Sequence, residues 1–204
     1  MRTLVIAGVA LVLVAAAATG GWFWYDAQQR RVAAAYAEVM TRVYAAQGPQ
    51  ASADARARAQ RDLEQILTQY PSAASVAEAA FELGNLRYAA QQWAPARGAW
   101  EIALARGGGP SLRALARTSI GYAWEAERNW AKAADAFQGV ARELGPKDFL
   151  YVEVLLALAR AQELGGKPGE AIATLQRVAK DAPSSPRSDE ARQGLLRMGV
   201  KAEK

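Results

Sequence analysis

The side chains able to do chemistry in this chain are carboxylates, guanidiniums, lysine amines and hydroxyls, because the sequence contains neither cysteine nor histidine. That absence removes thiolate nucleophiles, disulfides, zinc sites of the usual ligand types, haem ligation through His or Cys, and every triad built on imidazole. A lipobox-type lipid anchor, which needs a cysteine, is excluded with them. Paired carboxylates occur at Asp62 and Glu64 and again at Asp189 and Glu190. Such pairs suit general acid–base work only when burial or a neighbour holds one of them protonated. Both stand in stretches of solvated residues, so they read as surface charge. The Gly107-Gly108-Gly109 run invites comparison with a phosphate loop, but it has no GK[ST] ending and follows no strand, so it reads as an inter-element loop. Arg56, Arg58 and Arg61 form the densest basic patch, and Asp62 and Glu64 stand close enough to neutralise it. No GxSxG, HExxH, Walker or kinase motif is present. The sequence therefore predicts no catalytic residue, no metal ligand and no cofactor: the chain is expected not to be an enzyme.

The elements that position these side chains follow from composition and spacing. Of 204 residues, 51% are hydrophobic and 22% charged, enough to bury a core. The net charge of +5 is interspersed with acidic residues, which argues against a nucleic-acid footprint. From Leu4 to Ala18 no polar side chain appears; Thr19, Gly20 and Gly21 follow, and then Trp22, Phe23, Trp24 and Tyr25 form an aromatic cluster before Asp26. As one helix, residues 4–25 reach about 33 Å, enough to cross a hydrocarbon core of about 30 Å, with the aromatics at an interface. Residues 1–26 are thus expected to be a transmembrane signal anchor. A cleaved secretory signal is the competing reading, since Arg2, the apolar stretch and Ala16-Ala17-Ala18 also suit one. Charge bias leaves orientation open, because Arg2 precedes the segment while Arg30, Arg31 and Arg42 follow it.

Residues 27–204 are rich in Ala, Leu, Arg, Glu and Gln, and breakers cut them into short segments: Gly48-Pro49, Tyr70-Pro71, Gly107 to Pro110, Gly145-Pro146, Gly165-Gly166 and Pro183 with Pro186. The expected class is all-α. Three segments share one internal spacing: Leu83-Gly84 with Ala96, Trp100 and Ala103; Ile120-Gly121 with Ala133, Phe137 and Val140; Leu158-Ala159 with Ala171, Leu175 and Val178. Small residues at Gly84, Gly121 and Ala159 and at the three central alanines allow paired helices to approach, and Trp100, Phe137 and Leu175 wedge between neighbouring pairs. A more divergent hairpin is expected from about Arg30 to Ala46 and Ser52 to Gln69, keeping Ala59, Leu63 and Ile66. Ser185 before Pro186 marks the start of a last helix running to Met198, with Ala191 and Leu195 turned inward as a cap.

This pattern resembles the tetratricopeptide repeat, with Ala80, Leu83, Gly84, Ala96, Trp100 and Ala103 on the signature spacing and Trp93 and Trp130 at the turn position. Arg87 and Gln162 depart from it where a tyrosine is usual, and Pro168 replaces the third turn aromatic. The resemblance implies a helical-hairpin solenoid of about four hairpins plus a capping helix, binding protein or extended peptide in a groove lined by first helices. Counting along the repeat places Phe81, Asn85, Tyr88, Thr118, Tyr122, Glu125, Leu156, Arg160 and Glu163 in that groove. Phe81, Tyr88 and Leu156 are equally readable as core. The carboxylate-clamp subtype is not expected, since only Asn85 matches it, while Phe81, Ser119, Glu153 and Ala157 hold the other clamp positions.

Gly20 to Tyr25 leading into Ala33-Ala34-Ala35-Tyr36, and Ala182-Pro183-Ser184-Ser185-Pro186 before the last helix, resemble bacterial inner-membrane tetratricopeptide proteins that accompany the SecYEG translocon. That resemblance implies a single-pass inner-membrane protein with a periplasmic C-terminal domain. Its partners would be the SecYEG translocon and a periplasmic folding factor. The alternative is an envelope or cell-division coordinator of Tol-Pal type, which would be exported by cleavage and carry an oligomerising coiled coil; no sustained heptads appear between Asp26 and Gln69.

Overall fold

The computed structural model describes residues 2–48, 50–73 and 75–200, with side chains from residue 16 onward, and every regular element among them is a helix. In order they are α1 (Arg2–Gln47), α2 (Ala53–Gln69), α3 (Val76–Ala89), α4 (Trp93–Ala105), α5 (Pro110–Ala126), α6 (Trp130–Glu143), α7 (Tyr151–Leu164), α8 (Pro168–Asp181) and α9 (Ser188–Arg197). They form two compact units, Met1–Val76 and Ala77–Lys204.

In the first unit α1 and α2 make an antiparallel hairpin. Ser52 caps α2 by accepting the Ala55 backbone N–H at 3.1 Å, which satisfies one of the donors every helix start leaves over. Ala59, Leu63 and Ile66 on α2 and Val32, Val39, Met40, Val43 and Ala46 on α1 are buried, and Arg42 reaches across the hairpin to Asp62 at 2.7 Å. The sequence suggested two helices before Gln47, one ending near Tyr25 and one starting near Arg30. The structure instead carries α1 through both as one helix. Nothing between Asp26 and Gln29 stops a helix, and an Asp26–Arg30 ion pair at 2.8 Å, four residues apart, ties that turn together. The transmembrane expectation falls mostly on residues 4–15, whose side chains lie outside those described. Among the described residues no helix is long and apolar enough to cross a membrane.

The second unit stacks the hairpins α3–α4, α5–α6 and α7–α8 and ends on α9. At the first two crossings glycine is a packing requirement. A Cβ on Gly84 would overlap the Trp100 indole, and one on Gly121 would lie 2.5 Å from the Phe137 ring. Trp100 and Phe137 are both buried, as the wedge reading expects. Each hairpin turn repeats one geometry. The residues at the bend, Gln91, Arg128 and Gly166, all have positive φ, at 59°, 58° and 77°. The next N–H bonds back to the carbonyl five residues earlier: Gln92 to Arg87, Asn129 to Trp124, Lys167 to Gln162. This is the Schellman ending, which satisfies carbonyls a helix C-terminus leaves bare. It occurs once more at Gly199, where the Val200 N–H bonds to the Leu195 carbonyl. So α9 ends as a first helix does, and it covers the unit with Ala191 and Leu195 buried.

Connections between hairpins also recur. Residues 145–151 and 182–188 each fold as two consecutive turns, Asp148 bonding to Gly145 and Tyr151 to Asp148, then Ser185 to Ala182 and Ser188 to Ser185. The second of these turns occupies Ser185 to Ser188. For that reason α9 begins at Ser188 and not at Pro186, and the buried Ser188 hydroxyl donates to the Ala182 carbonyl.

A candidate protein-binding strip on the first helices

The helices that open each hairpin carry the polar residues expected to do the binding, and these residues hold one another. Arg160 on α7 grips Glu125 on α5 through two bonds, of 2.6 and 3.0 Å. One helix further on, Arg197 on α9 reaches Glu163 on α7 at 3.3 Å. The Tyr122 hydroxyl donates to Glu153 at 2.9 Å, while Arg187 and Glu190 close a two-bond pair at 2.8 and 2.9 Å.

These groups share one electrostatic neighbourhood. Burial pushes the Tyr88 phenol above its ordinary value; Glu125 adds to the rise and Arg160 opposes it. Burial, then the bond to Glu153, pushes Tyr122 up further. The Glu125 carboxylate raises the Arg160 guanidinium, and the Arg187 guanidinium holds Glu190 below the usual carboxylate range. The result is a strip of alternating charge in which two phenols stay neutral and every named cation is paired.

The nine sequence-predicted groove residues therefore divide. Tyr88, Tyr122, Glu125, Arg160 and Glu163 come together in the strip. Phe81 and Tyr88 also pack on the cluster around Trp100, and Tyr88 stacks edge-on with Trp93 at 4.8 Å, so for Tyr88 the core and groove readings both hold. Asn85 is already engaged, its amide oxygen accepting the Trp100 indole N–H at 3.3 Å. Thr118 is buried and its hydroxyl is taken by the Ala114 carbonyl at 2.8 Å, leaving no donor for a partner. Leu156 is buried to 8% exposure yet forms, with Ala159, Leu175 and Gly194, the apolar floor of a recess of about 270 Å³. Arg160, Glu163, Glu190, Gln193 and Arg197 rim it. Charged and polar side chains thus border an apolar floor.

Counting within each repeat missed Glu153, Arg187, Glu190 and Arg197. A signal for two of the links was present: Glu125 and Arg160 stand 35 residues apart and Glu163 and Arg197 stand 34 apart, about one repeat each. Opposite charges at repeat spacing are neighbours once hairpins stack. Among the described residues no cluster of three acidic side chains could hold a metal ion.

Stacked hairpins with a small residue at each crossing and Schellman turns define a helical-repeat architecture. Residues 153–185, covering most of α7, all of α8 and the start of the connection that follows, match the tetratricopeptide repeat family model. No curated protein matches the chain. Tetratricopeptide repeats bind protein or peptide partners and are generally non-catalytic scaffolds.

Proposed function

We propose that this chain is a non-enzymatic, membrane-anchored scaffold that holds an extended polypeptide segment along the strip from Tyr88 to Arg197. We further propose that it serves as a translocon-associated accessory of periplasmic folding and export. The observation that carries the binding reading is the strip itself: paired charges, two neutral phenols and one apolar-floored recess suit a peptide that offers both side chains and backbone. Residues 4–25 would hold the chain in the inner membrane, with the C-terminal domain in the periplasm. The partners, the SecYEG translocon and a periplasmic folding factor, come from the resemblance of the aromatic exit and the final proline turn.

A photoreactive residue at Gln193, exposed on the rim of the recess, tests this in membranes, with Gln176 on the exposed face of α8 as control. Capture of translocon subunits or a periplasmic folding factor from Gln193 and not from Gln176, lost on Arg160→Glu, is the expected result. Capture of Tol-Pal proteins would move the assignment to the envelope coordinator. Equal labelling from both positions would remove the strip as the binding face.

A further inference from the structure

The aromatic cluster on α1 has an unusual geometry. Trp22, Phe23, Trp24 and Tyr25 are consecutive, and at about 100° per residue four consecutive helical positions go right round the axis. Their exposures are 63%, 66%, 72% and 59%, so none is sheltered by the rest of the chain. The four rings make a girdle only about 4.5 Å deep along the helix. A groove on a protein, or a second copy of α1, would bury one stripe of positions spaced three and four apart and leave the others in water. A planar layer perpendicular to the helix is the environment that accepts all four at one depth. Trp and Tyr, with an apolar body and a polar edge, suit the boundary between hydrocarbon and headgroups.

Beyond the girdle the helix does not break. The Asp26–Arg30 ion pair spans the next turn, Arg30 and Arg31 are exposed, and Val32, the first buried residue of the α1–α2 hairpin, comes about 10 Å after Tyr25. We propose that Trp22 to Tyr25 form a girdle seated in the headgroup layer of a lipid bilayer, and that α1 carries it without a joint into the hairpin, so that α2 stands at a fixed height above the membrane. This rests on the membrane-anchored reading of residues 4–25 and deepens it: the anchor is a rigid stalk and not a tether. A flexible linker would let the first hairpin wander over tens of ångströms, whereas a continuous helix fixes its distance from the lipid.

The absence of native cysteine makes the test direct. Single cysteines at 22, 23, 24 and 25, each carrying a nitroxide, are placed in the full chain in vesicles of mixed zwitterionic and anionic phospholipid, and their depth is read from collisions with oxygen and with a water-soluble nickel reagent. All four are expected at the same depth, near the headgroups. A pair of labels at Tyr25→Cys and Tyr44→Cys is expected to give one narrow distance, from an axial separation of about 28 Å. Depths that alternate with helical period, with some labels shielded from lipid, would replace the girdle by a protein interface. A broad or short distance distribution would overturn the rigid stalk. Extraction by alkaline carbonate separates the two levels: a chain that washes off overturns the anchor and the girdle together. A chain that stays bound while the four labels sit in bulk water or mid-membrane overturns the girdle alone.

Discussion

The first and third hairpins of the second unit build the same crossing from different residues. In α3–α4 the pair is Gly84 with Trp100; in α7–α8 it is Ala159 with Leu175, sixteen residues apart in both. The larger the wedge, the smaller its partner, so the summed volume changes less than the wedge does alone. Close-packed interiors behave this way, because a methyl group added on one side has to be removed from the other. Leu175 is wedged on its far side too, where a Cβ on Gly194 would come within 2.8 Å of its Cδ1. The hairpins differ at the turn as well, with Gln91 in one and Gly166 in the other at the left-handed position.

The largest expected effects come from overfilling or emptying one side only of the first hairpin's crossing. Gly84→Leu drives a side chain into the Trp100 indole and should cost about 1–3 kcal/mol, or more if the helices must part. Trp100→Leu leaves a cavity and removes the indole bonds to the Phe81 carbonyl and Asn85, for about 2–4 kcal/mol. Combining Trp100→Leu with Gly84→Ala recreates the α7–α8 pair, and urea unfolding should find the double variant more stable than Trp100→Leu alone. Simple addition of two losses would show that crossing volume is not shared between the two positions.

A smaller effect separates the strip from the crossings. Tyr88, Tyr122 and Tyr151 are all pushed above the ordinary phenol value, chiefly by burial. In the unfolded chain phenols ionise near pH 10, about their ordinary value, while the folded ones stay neutral to higher pH. Their contribution is therefore fully present below about pH 10 and is lost as pH rises through the raised folded values. Melting temperature should fall as pH rises past about 10, with a slope that Tyr122→Phe makes shallower. Because phenylalanine keeps the edge-to-face contact with Phe137, the variant should lose little stability at pH 7. Alanine at Tyr88 or Tyr122 is a poor probe of binding, since both rings also pack on the wedges.

How far the fold was legible follows from the same positions. Gly84, Gly121 and Ala159, with their wedges at constant spacing, announced paired helices because small-against-large is a local requirement that sequence records directly. The unbroken α1 was not legible: a change from apolar to charged composition at Asp26 suggested a boundary, but a helix needs a breaker, not a change of polarity, to end. The start of α9 moved because consecutive turns after Ala182 consumed Pro186. At the strip, Tyr122, Glu125 and Arg160 were found by counting. Glu153 and Arg197 were not, because their partners lie on other helices and no spacing within one repeat shows them; Arg187, paired with Glu190 three residues on, stands at the head of α9, outside the counted first helices. Thr118 illustrates the converse, a polar residue at a groove position whose hydroxyl is turned back on its own helix.

The hairpin turns offer the finest discrimination between the two hairpins. Gln91 and Arg128 hold positive φ with a Cβ present, a conformation that costs an L residue about 1–2 kcal/mol, whereas Gly166 holds it without that strain. Glycine has its own cost, since it gives the unfolded chain more freedom to lose, roughly 0.4–1 kcal/mol. The balance favours glycine by a few tenths to about 1 kcal/mol. Gln91→Gly and Arg128→Gly should therefore each raise the urea midpoint slightly with no change in slope, and Gly166→Gln should lower it by a comparable amount. The two gains should add, because each turn closes its own hairpin and shares no hydrogen bond with the other. A loss of stability on Gln91→Gly would mean that the glutamine side chain contributes more than its backbone strain costs, and the first hairpin's turn would then be specific where the third's is merely permissive.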